Sequence, residues 1–457
     1  MAGARDLTIC IDFGTAWSKA VALASSEDGS IDPAQIRPLL LSTSTRTSPL
    51  ILRSLLFVDD DRVYFGEDAW SRALAIDPSK DRQAFTSFKT LLAARDLSRM
   101  LETRAPKRID PQRRFTLRDL LVLYFAFLLI RVEHGHRADP AIASIPTARL
   151  RYTHPAWGGA EDEDRHRLIS RMIDEGGYVA HVLGGEIGSD AGLRASVALE
   201  TLGRAATASL SSRIEGVVYE AAAVAACRLA DHAPSGRHMI VIDIGAGTTD
   251  MGGYRLRTAN TIDEIVPARR TVDVAGDSID RVLLGSMLAR ARHVRGNDAQ
   301  TAFWRTLAPQ VRELKEALFT TGKCSVRYGR KIVNLAAKDL VKQEDFKTAL
   351  AQIRDAYAIT LSNVARVSIE NNVRDIDVVF AGGGASLPFL HQMARETKPA
   401  PKLKPSIHIA PLAPKWAHAD HFQGQLVPVF PQISIAAGGA LAPMSLVSRI
   451  RERAMAS

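Results

Sequence analysis

The sequence predicts an α/β protein made of two similar lobes that face each other across a central cleft. Two widely separated segments carry that prediction: IDFGTAWSK, starting at Ile11, and VIDIGAGTTD, starting at Val241. Each is an apolar, strand-like run, then an aspartate, then a tight turn rich in glycine and threonine. A unit repeated in this way implies duplication. The 457 residues, 46% of them hydrophobic, are enough to bury more than one core.

The elements follow in order. Leu7 to Ile11 and Ala20 to Ala24 flank the first turn as a hairpin, and Ile51 to Val58 and Val63 to Phe65 form strands around the acidic turn DDDR. LLVLYFAFLLI, Leu120 to Ile130, reads as a buried helix too short to cross a bilayer, with Thr116 and Asp119 as its capping box. Ala141 to Pro146 reads as a short strand. A helix beginning at Glu161 is expected outside the sheet core, ended by Gly176 and Gly177. IEGVVYEAAAVAACRLA, Ile214 to Ala230, reads as one small-residue helix at a lobe interface, and DHAPSG, Asp231 to Gly236, as a linker.

Strands Met239 to Ile244 and Met251 to Leu256 repeat the hairpin, followed by helices around Asp277 to His293 and Pro309 to Phe319. Val326 to Ala336 reads as a strand pair, Asp345 to Ser368 as a long amphipathic helix, and Asp375 to Ala381 as a buried strand running into GGGAS. Pro388 opens another helix. This divides the chain into lobe I (1–235), lobe II (236–425) and a C-terminal segment (426–457) that returns toward the cleft or lobe I.

Lys and Arg number 59 against 50 Asp and Glu, a formal charge of +9. That balance alone names no partner. No zinc finger, aromatic and basic interleaving or long basic tail points to nucleic acid. Cys10, Cys227 and Cys324 are isolated, offer no metal-ligand spacing and read as reduced thiols in a cytoplasmic setting. The opening MAGARDLTIC enters a strand almost at once, so no signal peptide is expected. The tail SLVSRIRERAMAS reads as an ordinary terminal helix, with weak membrane binding as the alternative.

An aspartate ending a strand beside a glycine turn suits a magnesium-phosphate group, and two such units can hold it from both sides. Hydroxyls and backbone N–H groups meet the oxygens, and carboxylates face metal-bound water. Asp12 and Asp243 are the paired aspartates. Gly245 and Gly247 let the backbone approach the anion, and Thr248 and Asp250 extend the second loop.

These motifs resemble the nucleotide-binding core of the Hsp70 and actin superfamily, with VVFAGGGASLPFL as the adenosine loop. The likeness is closest to the Hsp70 branch, through Gly66 with Glu67, FTSFKTLLA around Lys89, YEAAAVAA with Glu220, and AGDSID from Ala275. It implies a duplicated actin-like ATPase fold with a central nucleotide cleft, binding ATP or ADP with Mg2+. In that likeness Gly14, Thr15, Ala16, Gly245, Ala246, Gly247 and Thr248 surround the phosphates. Asp12 and Asp243 hold the metal through water, Lys89 stabilises charge on the terminal phosphate, and Glu220 with Asp250 orders metal or water.

Lys315 matches an adenosine-binding lysine, while Gly382, Gly383, Gly384 and Ser386 form the last loop. The chain departs from the Hsp70 pattern at Ala221 and Ala222, where the family has proline and threonine. It departs again at Arg312, Glu316 and Phe319, and at Ser386 in place of a stacking arginine. The peptide-binding domain of a complete chaperone has no counterpart after the core. The expected activity is slow ATP hydrolysis by a chaperone-related conformational switch that works on another protein. A nucleotide-dependent filament or scaffold that associates with itself, and a pseudo-ATPase binding module, are the alternatives.

Overall fold

The computed structural model describes residues 6–25, 32–44, 47–77, 80–145, 148–157, 162–231, 237–258, 261–385, 387–400, 403–422 and 424–448. The fold is mixed α/β. Its first sheet contains β1 (Leu7–Phe13), β2 (Trp17–Ala24), β3 (Ile36–Pro38), β4 (Ala148–His154) and β5 (Ile214–Tyr219), in the order β3-β2-β1-β4-β5. Its second contains β6 (His238–Ile244), β7 (Thr249–Thr258) and β8 (Thr261–Glu264). A separate hairpin of β9 (Lys323–Tyr328) and β10 (Lys331–Ala336) intervenes, and β11 (Asp375–Ala381) and β12 (Ser406–Ala410) join the second sheet in the order β8-β7-β6-β11-β12, with the short strand Arg270–Val272 also pairing with β7.

The two sheets share one plan. In each, the first three strands are antiparallel and the last two run parallel to the first. Even the register repeats, with Leu7 opposite Ala24 and Asp12 opposite Lys19 in one hairpin, and His238 opposite Arg255 and Asp243 opposite Asp250 in the other. Asp12 and Asp243 therefore occupy the same position, one residue before the strand end. The apolar runs that precede them are buried on both faces, as parallel-flanked central strands require.

The helices that matter for the site are α1 (Phe88–Leu92), α2 (Leu117–Ala138), α3 (Asp162–Leu183), α4 (Glu220–Leu229), α5 (Gly276–Arg290), α6 (Val311–Thr321), α7 (Glu344–Glu370), α8 (Pro388–Glu396) and α9 (Leu426–Leu441). Between the sheets, α4 packs on β6 and β7, while α9 packs on β1, β2 and β4, and the two helices lie against each other. Small residues make this approach possible. A methyl group at Gly438 would fall 1.7 Å from the carbonyl oxygen of Ala223, and one at Gly439 would fall 2.3 Å from Cys10 Sγ.

The capping box forms as the sequence predicts, with Thr116 Oγ1 accepting from the Asp119 N–H and the Asp119 carboxylate accepting from the Thr116 N–H. Cys10, Cys227 and Cys324 are buried and unpaired. Among the described residues no helix is long and apolar enough to cross a membrane.

Three local expectations need correction. Residues 141–144 form turns, not a strand, because Asp139 gathers the N–H groups of Ala141, Ile142 and Ala143. Pro146 lies outside the described residues. Gly176 and Gly177 do not end α3, which continues to Leu183 and packs mainly on α2. A methyl group at Gly176 would sit 2.9 Å from Phe125 Cβ, so this glycine serves helix contact. Finally, Ile214 to Ala230 is not one helix: the β-branched run through Val217 and Val218 pairs with β4 as β5, and the helix starts at Glu220. Most of the DHAPSG linker and the tail from Arg449 lie outside the described residues.

Candidate functional site

The repeated register decides where the chemistry collects. Both aspartates end central strands at the same edge of their sheets, and both line a single cavity of about 400 Å3. The turn after β1 brings Gly14, Thr15 and Ala16 to its wall, and the turn after β6 brings Gly245, Ala246, Gly247 and Thr248. These turns meet closely. A methyl group added at Gly247 would lie 3.6 Å from Thr15 Oγ1 and 3.0 Å from Thr90 Oγ1.

Gly382, Gly383 and Gly384 line the same cavity from the end of β11. Gly382 has φ +77°, and a Cβ there would lie 2.4 Å from both Asp243 Oδ1 and the Ile244 carbonyl oxygen, so no other residue fits without moving the aspartate. Ser386 lies outside the described residues.

Lys89 reaches the cavity from α1, whose position is set by Phe88 packing 4.4 Å from the Tyr124 ring. Only 7% of Lys89 is exposed. Its Nζ lies 3.1 Å from Asp12 Oδ1 and pairs with the carboxylate of Glu220, the first residue of α4. Burial works against the ammonium, but Asp12 and Glu220 outweigh it and hold Lys89 protonated far above its ordinary range.

A second cation, which the sequence reading left out, completes the arrangement. Lys19 Nζ lies 3.0 Å from Asp12 Oδ2, so each oxygen of Asp12 carries an ammonium. Against burial, Lys19 and Lys89 pull the Asp12 carboxyl down to about 2. Counting across the hairpin from the GTA turn places residue 19 opposite residue 12, and that signal was available in the sequence.

The remaining acids behave oppositely. Burial pushes Glu220 up against the pull of Lys89, with Asp12 adding to the rise. Asp243 stands well above the usual carboxylate range, through burial and then the neighbouring Glu220 and Asp250. Its Oδ1 is buried without a hydrogen-bond partner among the described residues.

Asp250 does not line the cavity. It lies behind the wall, 2% exposed, with Thr248 Oγ1 at 2.9 Å and Thr271 Oγ1 at 2.6 Å. Thr271 Oγ1 also lies 2.7 Å from the Ala156 carbonyl oxygen in the segment that follows β4. One hydroxyl proton cannot serve both acceptors. A protonated Asp250 donating to Thr271 leaves Thr271 free to donate to Ala156, and burial followed by Glu220 does push the Asp250 carboxyl up to about 7.

A stability effect follows from that sign. The folded carboxyl titrates above its unfolded value of 3.8, so its stabilising contribution is complete below that pH and is lost as pH rises through about 7. In Asp250→Asn, whose amide N–H keeps the donation to Thr271, urea unfolding midpoints of the ligand-free protein are expected to fall less between about pH 5 and pH 8 than in the parent. An equal fall in both proteins removes Asp250 as the titrating group.

Arg312, Lys315, Glu316 and Phe319 of α6 also line the cavity. Lys315 Nζ is 2.9 Å from Asp280 Oδ1 and 3.2 Å from the Gly276 carbonyl oxygen. Phe319 adds an aromatic ring to the wall.

As for metal, no three His, Cys, Asp or Glu side chains among the described residues are grouped to hold an ion directly. The donor set suits an ion held through water: each Asp12 oxygen already accepts from a lysine, while Asp243 Oδ1 is free to accept from a metal-bound water. No protein-family model matches this chain, and no curated protein matches it significantly.

Proposed function

We propose that the two sheets are the lobes of an actin-like ATPase and that the cavity between them binds ATP or ADP with Mg2+ and slowly hydrolyses the terminal phosphoanhydride. The observation that carries this reading is the pair Asp12 and Asp243, equivalent in register, both buried, and both on the wall of one cavity with three glycine loops and Lys89. In this reading the turn amides with Thr15 and Thr248 receive the phosphates, and Asp243, backed by Asp12, accepts from the metal's water shell. Bound Mg2+ would neutralise phosphate charge. Lys89 can turn from Glu220 toward the terminal phosphate, and the Glu220 carboxylate so released is placed to take a proton from water.

Gly276, Lys315 and Phe319 would enclose the nucleoside, with Phe319 supplying an aromatic surface that the substituted last loop lacks. Loss of the terminal phosphate removes contacts that span both lobes, which suits a chaperone-related, cytoplasmic switch acting on a partner protein. Binding without hydrolysis is the second reading. It is favoured by the engagement of Lys89 with both Asp12 and Glu220.

Calorimetry with ATP and ADP, with and without Mg2+, followed by single-turnover phosphate release, tests the proposal. The expected result is Mg2+-enhanced binding of both nucleotides and slow release of phosphate. Binding with no release selects the second reading, and absence of binding ends both. Nucleotide-dependent pelleting with filaments seen by electron microscopy would favour the scaffold alternative.

A further inference from the structure

Away from the cleft, a larger cavity of about 770 Å3 opens between one face of α5 and the start of α7, and none of the residues assigned above lines it. Its α5 wall is built from Ser278, Arg281, Gly285 and Ala289 at helical spacing, continued by Arg292. Gly285 and Ala289 make the floor low: a methyl group at Gly285 would meet nothing within 4 Å. Arg281 and Arg292 stand exposed along it. Arg290 is held by Asp339 at 2.9 Å, whereas Arg292 has no ion pair among the described residues.

The groove leads to the β9–β10 hairpin, where the His293 ring lies 6.3 Å from that of Tyr328. From Lys323 to Ala336 the hairpin carries Lys323, Arg327, Arg330 and Lys331 and no acid. None of these cations is ion-paired among the described residues. Ile332, opposite Arg327 in the register, is 59% exposed. Among the described residues the hairpin strands pair with no other strand, so apart from the Lys323 carbonyl, which accepts from the Thr321 hydroxyl, their outer edges remain open to an added strand.

We propose that this groove and hairpin dock an extended, acidic segment of a partner protein. Carboxylates of that segment meet Arg281, Arg292 and the hairpin cations, an apolar side chain covers Ile332, and peptide N–H groups face the groove carboxylates Asp273 and Asp345. The unpaired strand edges and the exposed Ile332 favour an extended peptide over nucleic acid, which cannot add a strand to the hairpin.

The test uses fluorescence anisotropy at about 0.15 M salt, with a labelled peptide of alternating Glu and Val and a labelled oligothymidylate of equal charge. The 457-residue chain is expected to bind the peptide more tightly than the oligonucleotide. Arg281→Glu with Arg292→Glu should weaken peptide binding about tenfold or more. Lys107→Glu with Arg108→Glu, the same charge change on exposed positions of the first lobe, should leave it nearly unchanged. Thermal melting confirms that each variant is folded. Tighter oligonucleotide binding, no peptide binding, or equal weakening by both charge reversals would overturn the proposal. It stands independently of nucleotide binding in the cleft.

Discussion

Lys89→Ala is expected to lower stability by about 3–5 kcal/mol near neutral pH, because it removes one partner from a buried ionic cluster and leaves the others uncompensated. Asp12 retains Lys19 at 3.0 Å, but Glu220 loses the ammonium that faces it. The deficit should shrink as pH falls, since Glu220 already titrates above its ordinary range and would take up a proton in place of its lost partner. Urea unfolding of parent and variant from about pH 5 to pH 8 measures this. A constant difference across that range would show that Glu220 does not respond to Lys89.

The same substitution separates stability from chemistry. If Lys89 stabilises charge on the departing phosphate, single-turnover phosphate release should fall by about 100-fold or more in protein that still binds ATP by calorimetry. Release at the parent rate would leave Lys89 a purely structural cation. Lys89→Arg keeps the charge with a different shape, and should recover more stability than rate.

Gly438→Ala is the second severe case. The added methyl would lie 1.7 Å from the Ala223 carbonyl oxygen and 3.1 Å from Ala223 Cα, and neither belongs to a side chain that can turn away. The two central helices must separate, at about 3 kcal/mol or more. Displacement of α4 also carries Glu220 away from Lys89, so nucleotide binding should weaken with stability. Gly203→Ala provides the contrast. That glycine lies in the helix Ala195–Thr207 with nothing within 4 Å of an added methyl, so the change should stabilise by about 0.5–1 kcal/mol. Comparable effects at both sites would mean that α4 and α9 are not in close contact.

Much of the site was legible in the chain because it is built from short segments with local causes. A strand, an aspartate and a glycine turn are contiguous in sequence, and the hairpin register follows from the turn, so Asp12, Thr15, Asp243 and Thr248 could be chosen without any tertiary information. Lys89, Glu220 and Lys315 were reached only through family resemblance, since a lysine or glutamate in a helical segment carries no local mark of its partner. Asp250, to which the family likeness gives the ordering of metal or water, lies behind Thr248 and accepts from its hydroxyl. Alternation along a strand shows which face a residue occupies, not whether another loop covers that face.

The glycines show the same division. Gly14 and Gly245 were recognised because tight turns need them, whereas Gly176, Gly438 and Gly439 gave no sequence signal that separated a helix end from a helix contact. Their need comes from Phe125, Ala223 and Cys10, which lie far away along the chain.

Periodicity and turn chemistry were therefore sufficient for the α/β class, the repeated hairpin and the paired aspartates, since those depend on neighbours a few residues apart. Only packing decided that Asp12 would carry two ammoniums, that Asp243 would be left buried with an unpartnered oxygen, and that α4 and α9 would touch backbone to backbone. Charge balance and close approach are sums over side chains brought together from distant parts of the chain, and no local pattern contains those sums.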